Sequence, residues 1–179
     1  AGDTPFQWTK QVASHFGGTR NSMIVSWPER ISEHGAVRPQ FHHVIDVLPT
    51  ILAATGVGYP SELGGEAIQP MDGENILPLL EGRSWERERP LFFEHEGNRA
   101  AREGPWKLVS RHGKPWELYD LSTDIAESKN LATDHPDIVA KLQKLAEACR
   151  IDLGDRKKPG KNQRPAGNEP NPKPLTLAR

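Results

Sequence analysis

With 179 residues, one cysteine and a formal net charge of −1, the chain has the length of one domain or one and a half and cannot form an internal disulfide. The charge is unevenly spread: residues 155–179 hold seven basic and two acidic side chains, which leaves an acidic body up to Gly154 and argues against nucleic-acid binding as its main task. No apolar run approaches the roughly 18 residues of a membrane-spanning helix, so no membrane span is expected.

The chain opens on a loop. Lys10 stands ahead of Gly17-Gly18, and the continuous apolar run Met23-Ile24-Val25 comes next, ending at Trp27-Pro28. Glycines at 17 and 18 permit positive φ and close backbone approach. The run predicts a strand over 22–27, covered on both faces. Lys10 then lies on a loop near a strand end, where open α/β sheets put their ligands, and a cation there suits an anionic substrate. A solvated surface lysine is the other reading of the same pattern.

Further along the chain, Val44, Val47, Leu48, Ile51 and Leu52 form a helical stripe. Asp46 is the expected N-cap, Pro49 falls in the first turn where its missing N–H has no partner to lose, and Gly56 is the C′ residue. The helix should run from about Asp46 to Thr55. Residues 57–90 read mostly as loop, with a helical turn at Ile76–Leu80. Within them Asp72-Gly73-Glu74-Asn75 offers oxygen ligands without the calcium-loop pattern, and reads as a turn.

Brief strands come next, at Leu91–Glu94, Ala100–Arg102, Trp106–Ser110 and Trp116–Tyr119. The breaks Glu103-Gly104-Pro105 and His112-Gly113-Lys114-Pro115 are turn chemistry, so the strands should form an antiparallel meander. A final helix, with Asp134 as N-cap and Pro136 in its first turn, carries Ile138, Val139, Leu142, Leu145, Ala146 and Cys149 on one face. It should cover the sheet, with Cys149 as a small core residue. From Asp155 the chain has five prolines and no aromatic residue, and reads as an extended tail that cannot bury enough apolar surface to order itself.

These elements carry an ordered series of motifs. Lys10 precedes Gly17-Gly18-Thr19-Arg20 and Trp27-Pro28. Asp46-Val-Leu-Pro49-Thr50 leads to Gly56, then Asp72-Gly73 and Leu77-Pro78-Leu79-Leu80 with Gly82. Leu91-Phe-Phe-Glu94-His95 with Asn98 is followed by Trp106-Lys107, and Leu118-Tyr119-Asp120-Leu121 by Asp124, Glu127 and Asn130-Leu131. In this order, over about residues 4 to 150, the series resembles the C-terminal portion of the sulfatases, formylglycine-dependent sulfuric ester hydrolases of the alkaline-phosphatase-like superfamily. The resemblance implies an α/β fold. Residues 1–90 would be the C-terminal remnant of its α/β domain, 91–154 a small antiparallel β-sheet packed against a C-terminal helix, and 155–179 an extended Pro/Lys-rich tail. It also implies that Ala1 starts within a domain and that the chain's partner is the N-terminal part of the same sulfatase.

Sulfate-ester hydrolysis needs a nucleophile, a cation or metal near the sulfate, and an acid for the leaving group. The resemblance implies that Lys10 contacts the sulfate of a small sulfated substrate, as a point charge. His15 lies on the same loop, and Glu94, His95 and Asn98 cluster at a strand end; all four are candidates for the substrate pocket. A hydrogen-bonded loop closing the meander is the other reading of that cluster. Formylglycine and a divalent cation, with calcium the usual metal, are implied for the complete enzyme on residues outside this segment, so no metal ligand is expected in it and 1–179 alone should be inactive. Ser26-Trp27-Pro28-Glu29-Arg30 matches the Ser-x-Pro-x-Arg modification pattern but lacks the apolar, Thr-Gly-containing helix that comes after a real site, so Ser26 is read as structural. Two alternatives stand beside the sulfatase reading: a phosphate or phosphonate ester hydrolase of the same superfamily, and a stand-alone, non-catalytic binding module.

Overall fold

The computed structural model describes residues 4–10 and 12–152, and the tail over 155–179 lies outside the described residues. In chain order the elements are α1 (Phe16–Thr19), a 3-10 turn (Val44–Asp46) leading into α2 (Val47–Thr55), the short hairpin β1 (Glu62–Leu63) and β2 (Glu66–Ala67), and α3 (Leu77–Leu80). Strands β3 (Leu91–His95), β4 (Asn98–Glu103), β5 (Trp106–Ser110) and β6 (Glu117–Asp120) come next, and then α4 (Pro136–Asp152). They group into two units: the described residues up to Asn21 together with those from Pro90 onward, and Ser22–Arg89.

The first unit is built on an antiparallel sheet of order β3-β4-β5-β6, the meander that the turn chemistry predicts. Glu96 and Gly97 join β3 to β4 with φ of 53° and 79°, the twist that a two-residue hairpin turn requires. Leu108 pairs with Leu118 and Lys107 with Tyr119. Because successive side chains point to opposite faces, these two rows face opposite ways. The leucine row meets Leu142 of α4 in a buried core, bordered by Trp106, Ile138, Val139 and Leu145. The expected helix therefore covers the sheet, beginning at Pro136, where a missing N–H is harmless. Cys149 is half-buried on it.

The outer edge of β6 is closed by the segment after it: the Leu131 amide donates to the Leu118 carbonyl at 2.8 Å, and Asn130 Oδ1 accepts from the Leu118 amide at 3.0 Å. A row of strand groups that would otherwise be open is thereby paired. The second face of the sheet, with Lys107, Glu117 and Tyr119, is covered by the N-terminal loop and α1. Gly17 and Gly18 serve close approach there: a Cβ would stand 1.9 Å from the Trp8 carbonyl oxygen at Gly17 and 2.1 Å from that of Val12 at Gly18. Neither glycine uses the positive φ that its type allows.

In the second unit the strand expected over 22–27 does not form. These residues have no regular structure, Met23, Ile24 and Val25 are exposed, and Ile24 is 94% accessible. An apolar run becomes a strand only when another backbone completes its hydrogen bonds, and no described strand pairs with it. Helix α2 lies where the stripe places it and ends at Gly56 in the left-handed region, φ 70° and ψ 16°. The Asp46 carboxylate, however, caps the 3-10 turn rather than α2, accepting from the His43 amide at 2.6 Å. It also accepts from the Glu74 amide at 2.8 Å and pairs with Arg87. Thr50 donates to the Asp46 carbonyl at 2.6 Å and accepts from the Ile76 amide at 3.0 Å. The Asp46-to-Thr50 motif thus fastens α2 to the turn at Gly73–Ile76. No described helix is long and apolar enough to cross a membrane.

Candidate functional site

Lys10 sits exposed on a turn closed by the Val12 amide donating to the Thr9 carbonyl at 3.2 Å. The residues beyond that turn pack inward: Val12, Ser14, His15 and Phe16 are all buried, so the lysine rides on a loop whose far side is fixed. His15 is 1% exposed; its Nδ1 shares a 3.0 Å hydrogen bond with Ser14 Oγ, and its ring meets Tyr119 edge-on at 6.0 Å. Its Nε2 lies 3.6 Å from Glu117 Oε2, an ion-pair distance longer than a hydrogen bond. The Tyr119 hydroxyl donates to that same oxygen at 2.5 Å. His15 first, and then Tyr119, hold the Glu117 carboxyl below its ordinary range, against the opposing effect of burial. Burial and the adjacent carboxylate push the Tyr119 phenol up.

Glu94, His95 and Asn98 lie at the same end of the sheet. The Glu94 carboxylate accepts from the Gly97 amide at 2.7 Å. Asn98 is fully buried; its amide group donates to the His95 carbonyl at 3.1 Å and its Oδ1 accepts from the His112 amide at 3.2 Å. Asn98 therefore ties the β3–β4 turn to the β5–β6 turn, while the side chain of His95 is exposed. One residue before His112, the Arg111 guanidinium lies 4.3 Å from the centre of the Trp8 ring, and Trp8 tilts against His15 at 6.3 Å. Both turns, Glu117 and the loop of Lys10 and His15 are thus gathered at one end of the meander.

Lys107 and Glu127 belong to the sequence motifs, but the motifs alone assign them no task. Both are buried, at 1% and 0% exposure. Glu127 Oε1 accepts from Lys107 Nζ at 2.5 Å and its Oε2 from the Phe16 amide at 2.7 Å. The Glu127 carbonyl accepts from Gln7 Nε2. Lys107 Nζ also stands 3.7 Å from the centre of the Phe16 ring, within cation–π range. Desolvation pushes the Lys107 ammonium down to about 8, with Glu127 opposing and Arg102 and Arg20 adding to the fall. The available signal was a lysine in the middle of an otherwise apolar strand, where a charge must find a partner.

A divalent cation has no fit among the described residues. No group of three or more His, Cys, Asp or Glu is arranged to hold one. The fully buried carboxylates of Asp46 and Glu127 are already matched to Arg87 and Lys107.

The family described as N-sulphoglucosamine sulphohydrolase, C-terminal, matches residues 7–152. An uncharacterised sulfatase of Schizosaccharomyces pombe is 35% identical over 133 residues, covering 70% of this chain and 24% of that protein. An N-acetylgalactosamine-6-O-sulfatase of Bacteroides thetaiotaomicron is 24% identical over 156 residues, covering 78% and 29%. A solved structure from work on glycosaminoglycan metabolism in Bacteroides thetaiotaomicron superposes with a TM-score of 0.58 at 23% identity, over 78% of this chain and 31% of that one. The chain spans about a quarter of the length of the curated relatives it matches.

Proposed function

The chain belongs to the sulfatase family, as a C-terminal domain, and on that premise we propose that it completes an enzyme hydrolysing sulfate esters, to which it gives Lys10 and one wall of the substrate pocket. Family membership carries this reading, because the matched residues include Lys10 and the buried residues that anchor its loop. Negative charge builds on the sulfuryl oxygens as the ester bond breaks, and a preorganised ammonium opposite it stabilises the transition state more than the ground state. In this reading His15 is part of the floor beneath Lys10, and Glu94, His95 and Asn98 shape the wall where the leaving group lies.

Formylglycine, as nucleophile, and a divalent cation, as charge stabiliser, belong in this reading to the preceding part of the complete protein. The exposed apolar residues of Ser22–Arg89 support a companion of that kind: Val44, Leu48 and Ile51, at helical spacing along the 3-10 turn and α2, are exposed, as is Ile24.

The test is turnover of paired aryl sulfate and aryl phosphate. The complete protein should prefer the sulfate, and the purified 1–179 chain should turn over neither, even with calcium added. Preference for phosphate by the complete protein would move the substrate class to phosphate esters. Turnover by the purified chain alone would overturn the division of labour.

A further inference from the structure

We propose that Glu127 and Lys107 are positioning residues for the sulfate contact: together they latch the loop between Gln7 and Phe16 onto the sheet and so fix where Lys10 stands. The latch rests on the proposed role of Lys10 as that contact.

The latch grips both ends of the segment that carries Lys10. At one end the Glu127 carbonyl accepts from Gln7 Nε2; at the other, Glu127 Oε2 accepts from the Phe16 amide at 2.7 Å. The second carboxylate oxygen takes Lys107 Nζ at 2.5 Å, and that ammonium covers the Phe16 ring. Every hydrogen-bonding oxygen of Glu127 therefore serves either the loop or the lysine beneath it. Glu127 itself is held with φ at +58°, a conformation non-glycine residues adopt at a cost. The Asp124 carboxylate maintains it, accepting from the Ser128 and Lys129 amides at 2.8 Å each.

Stability alone gives a poor account of such an arrangement. Two charges withdrawn from water lose hydration that their mutual attraction only partly returns, and an apolar pair of similar volume is often as stable. An apolar pair would also hold the loop less specifically, because it could neither accept from the Phe16 amide nor set a direction. The loop is mostly irregular backbone leading into a single helical turn, closed on itself by the Gly17 amide donating to the Gln7 carbonyl at 3.0 Å. Small displacement of a charge relative to a transition state is costly, so where the closed loop docks on the sheet decides where Lys10 stands. The latch supplies that docking, through Lys107 of β5.

The decisive measurement is a double-mutant cycle in the complete protein between two residues that do not touch. Lys10→Ala, Glu127→Gln and the combination are compared by kcat and KM on a chromogenic aryl sulfate, below the unfolding midpoint of each. Lys10→Ala should lower kcat/KM about 100-fold. Glu127→Gln, which keeps an acceptor but loses the charge, should lower kcat on the order of 10-fold. The double variant should be no worse than Lys10→Ala within about twofold, since a misplaced lysine and a missing one are equivalent. A folded Glu127→Gln enzyme with full activity, or losses that multiply in the double variant, would overturn the latch while leaving Lys10 in place. No effect of Lys10→Ala would instead remove the role of Lys10, and the latch's target with it. Should Glu127→Gln not fold, Gln7→Ala removes the side chain's bonds to the Glu127 carbonyl and to Tyr119 while leaving the Lys107–Glu127 pair in place, and the same cycle is run with it under the same criteria.

Discussion

Lys107 shows how one buried charge can separate function from stability. Its ammonium is pushed down to about 8 by desolvation, below the ordinary lysine value of about 10.4 that the unfolded chain retains. Between those values the unfolded state binds more protons, so this group's contribution to stability is present above the unfolded value and lost as pH falls through about 8. The charge pair with Glu127, by contrast, exists only while Lys107 is protonated. In the complete protein kcat should therefore fall as pH rises through about 8, without a matching loss of stability from this group. Lys107→Met should be less active at neutral pH and should lack that limb. A wild-type profile flat from about pH 7 to about pH 10, a range that crosses the folded lysine value, would contradict the prediction. Neither partner could be matched from sequence, because Lys107 and Glu127 are 20 residues apart and only the turn anchored by Asp124 brings them together. Asn98 was legible as polar and close to the site, but which of its atoms were already engaged depended on the return of His112 from another turn.

Among the elements, those defined by local periodicity are where the sequence places them. The stripe of α4 and the turns of the meander need no knowledge of distant residues, and the helix packs on the sheet through Leu142. Leu142→Ala should destabilise the chain by about 2–5 kcal/mol, the usual cost of truncating a buried leucine, read as a shift in the urea midpoint at unchanged slope. A change within about 0.5 kcal/mol, the range of an ordinary surface substitution, would mean that the Leu108–Leu118–Leu142 core is not what joins helix and sheet. The expected strand over 22–27 failed for the opposite reason. Its apolar run is a local property, whereas a strand is a property of pairs. Gly17 and Gly18 were recognisable as a site of unusual backbone; that the need was for close packing rather than positive φ depended on the carbonyls of Trp8 and Val12, which lie elsewhere on the loop.

At the scale of the whole molecule, the chain covers about a quarter of the length of its curated relatives. The surface of Ser22–Arg89 presents Ile24 at 94% and Val44 at 76% exposure, and apolar area of this kind drives association. Ile24→Asp with Ile51→Asp should lower the yield of folded complete protein, where those residues are proposed to be covered. Unchanged yield of the complete protein would show that this surface has no companion there. By itself the sequence determined the family, the meander with its covering helix, and Lys10 as the cation to test, since each rests on residues close together in the chain or on motifs in a fixed order. Tertiary structure alone decided that the N-terminal loop covers the second face of the sheet and that the pair Lys107–Glu127 grips it. The physical reason is that a buried charge reveals its partner only when the chain has brought the two within hydrogen-bond reach.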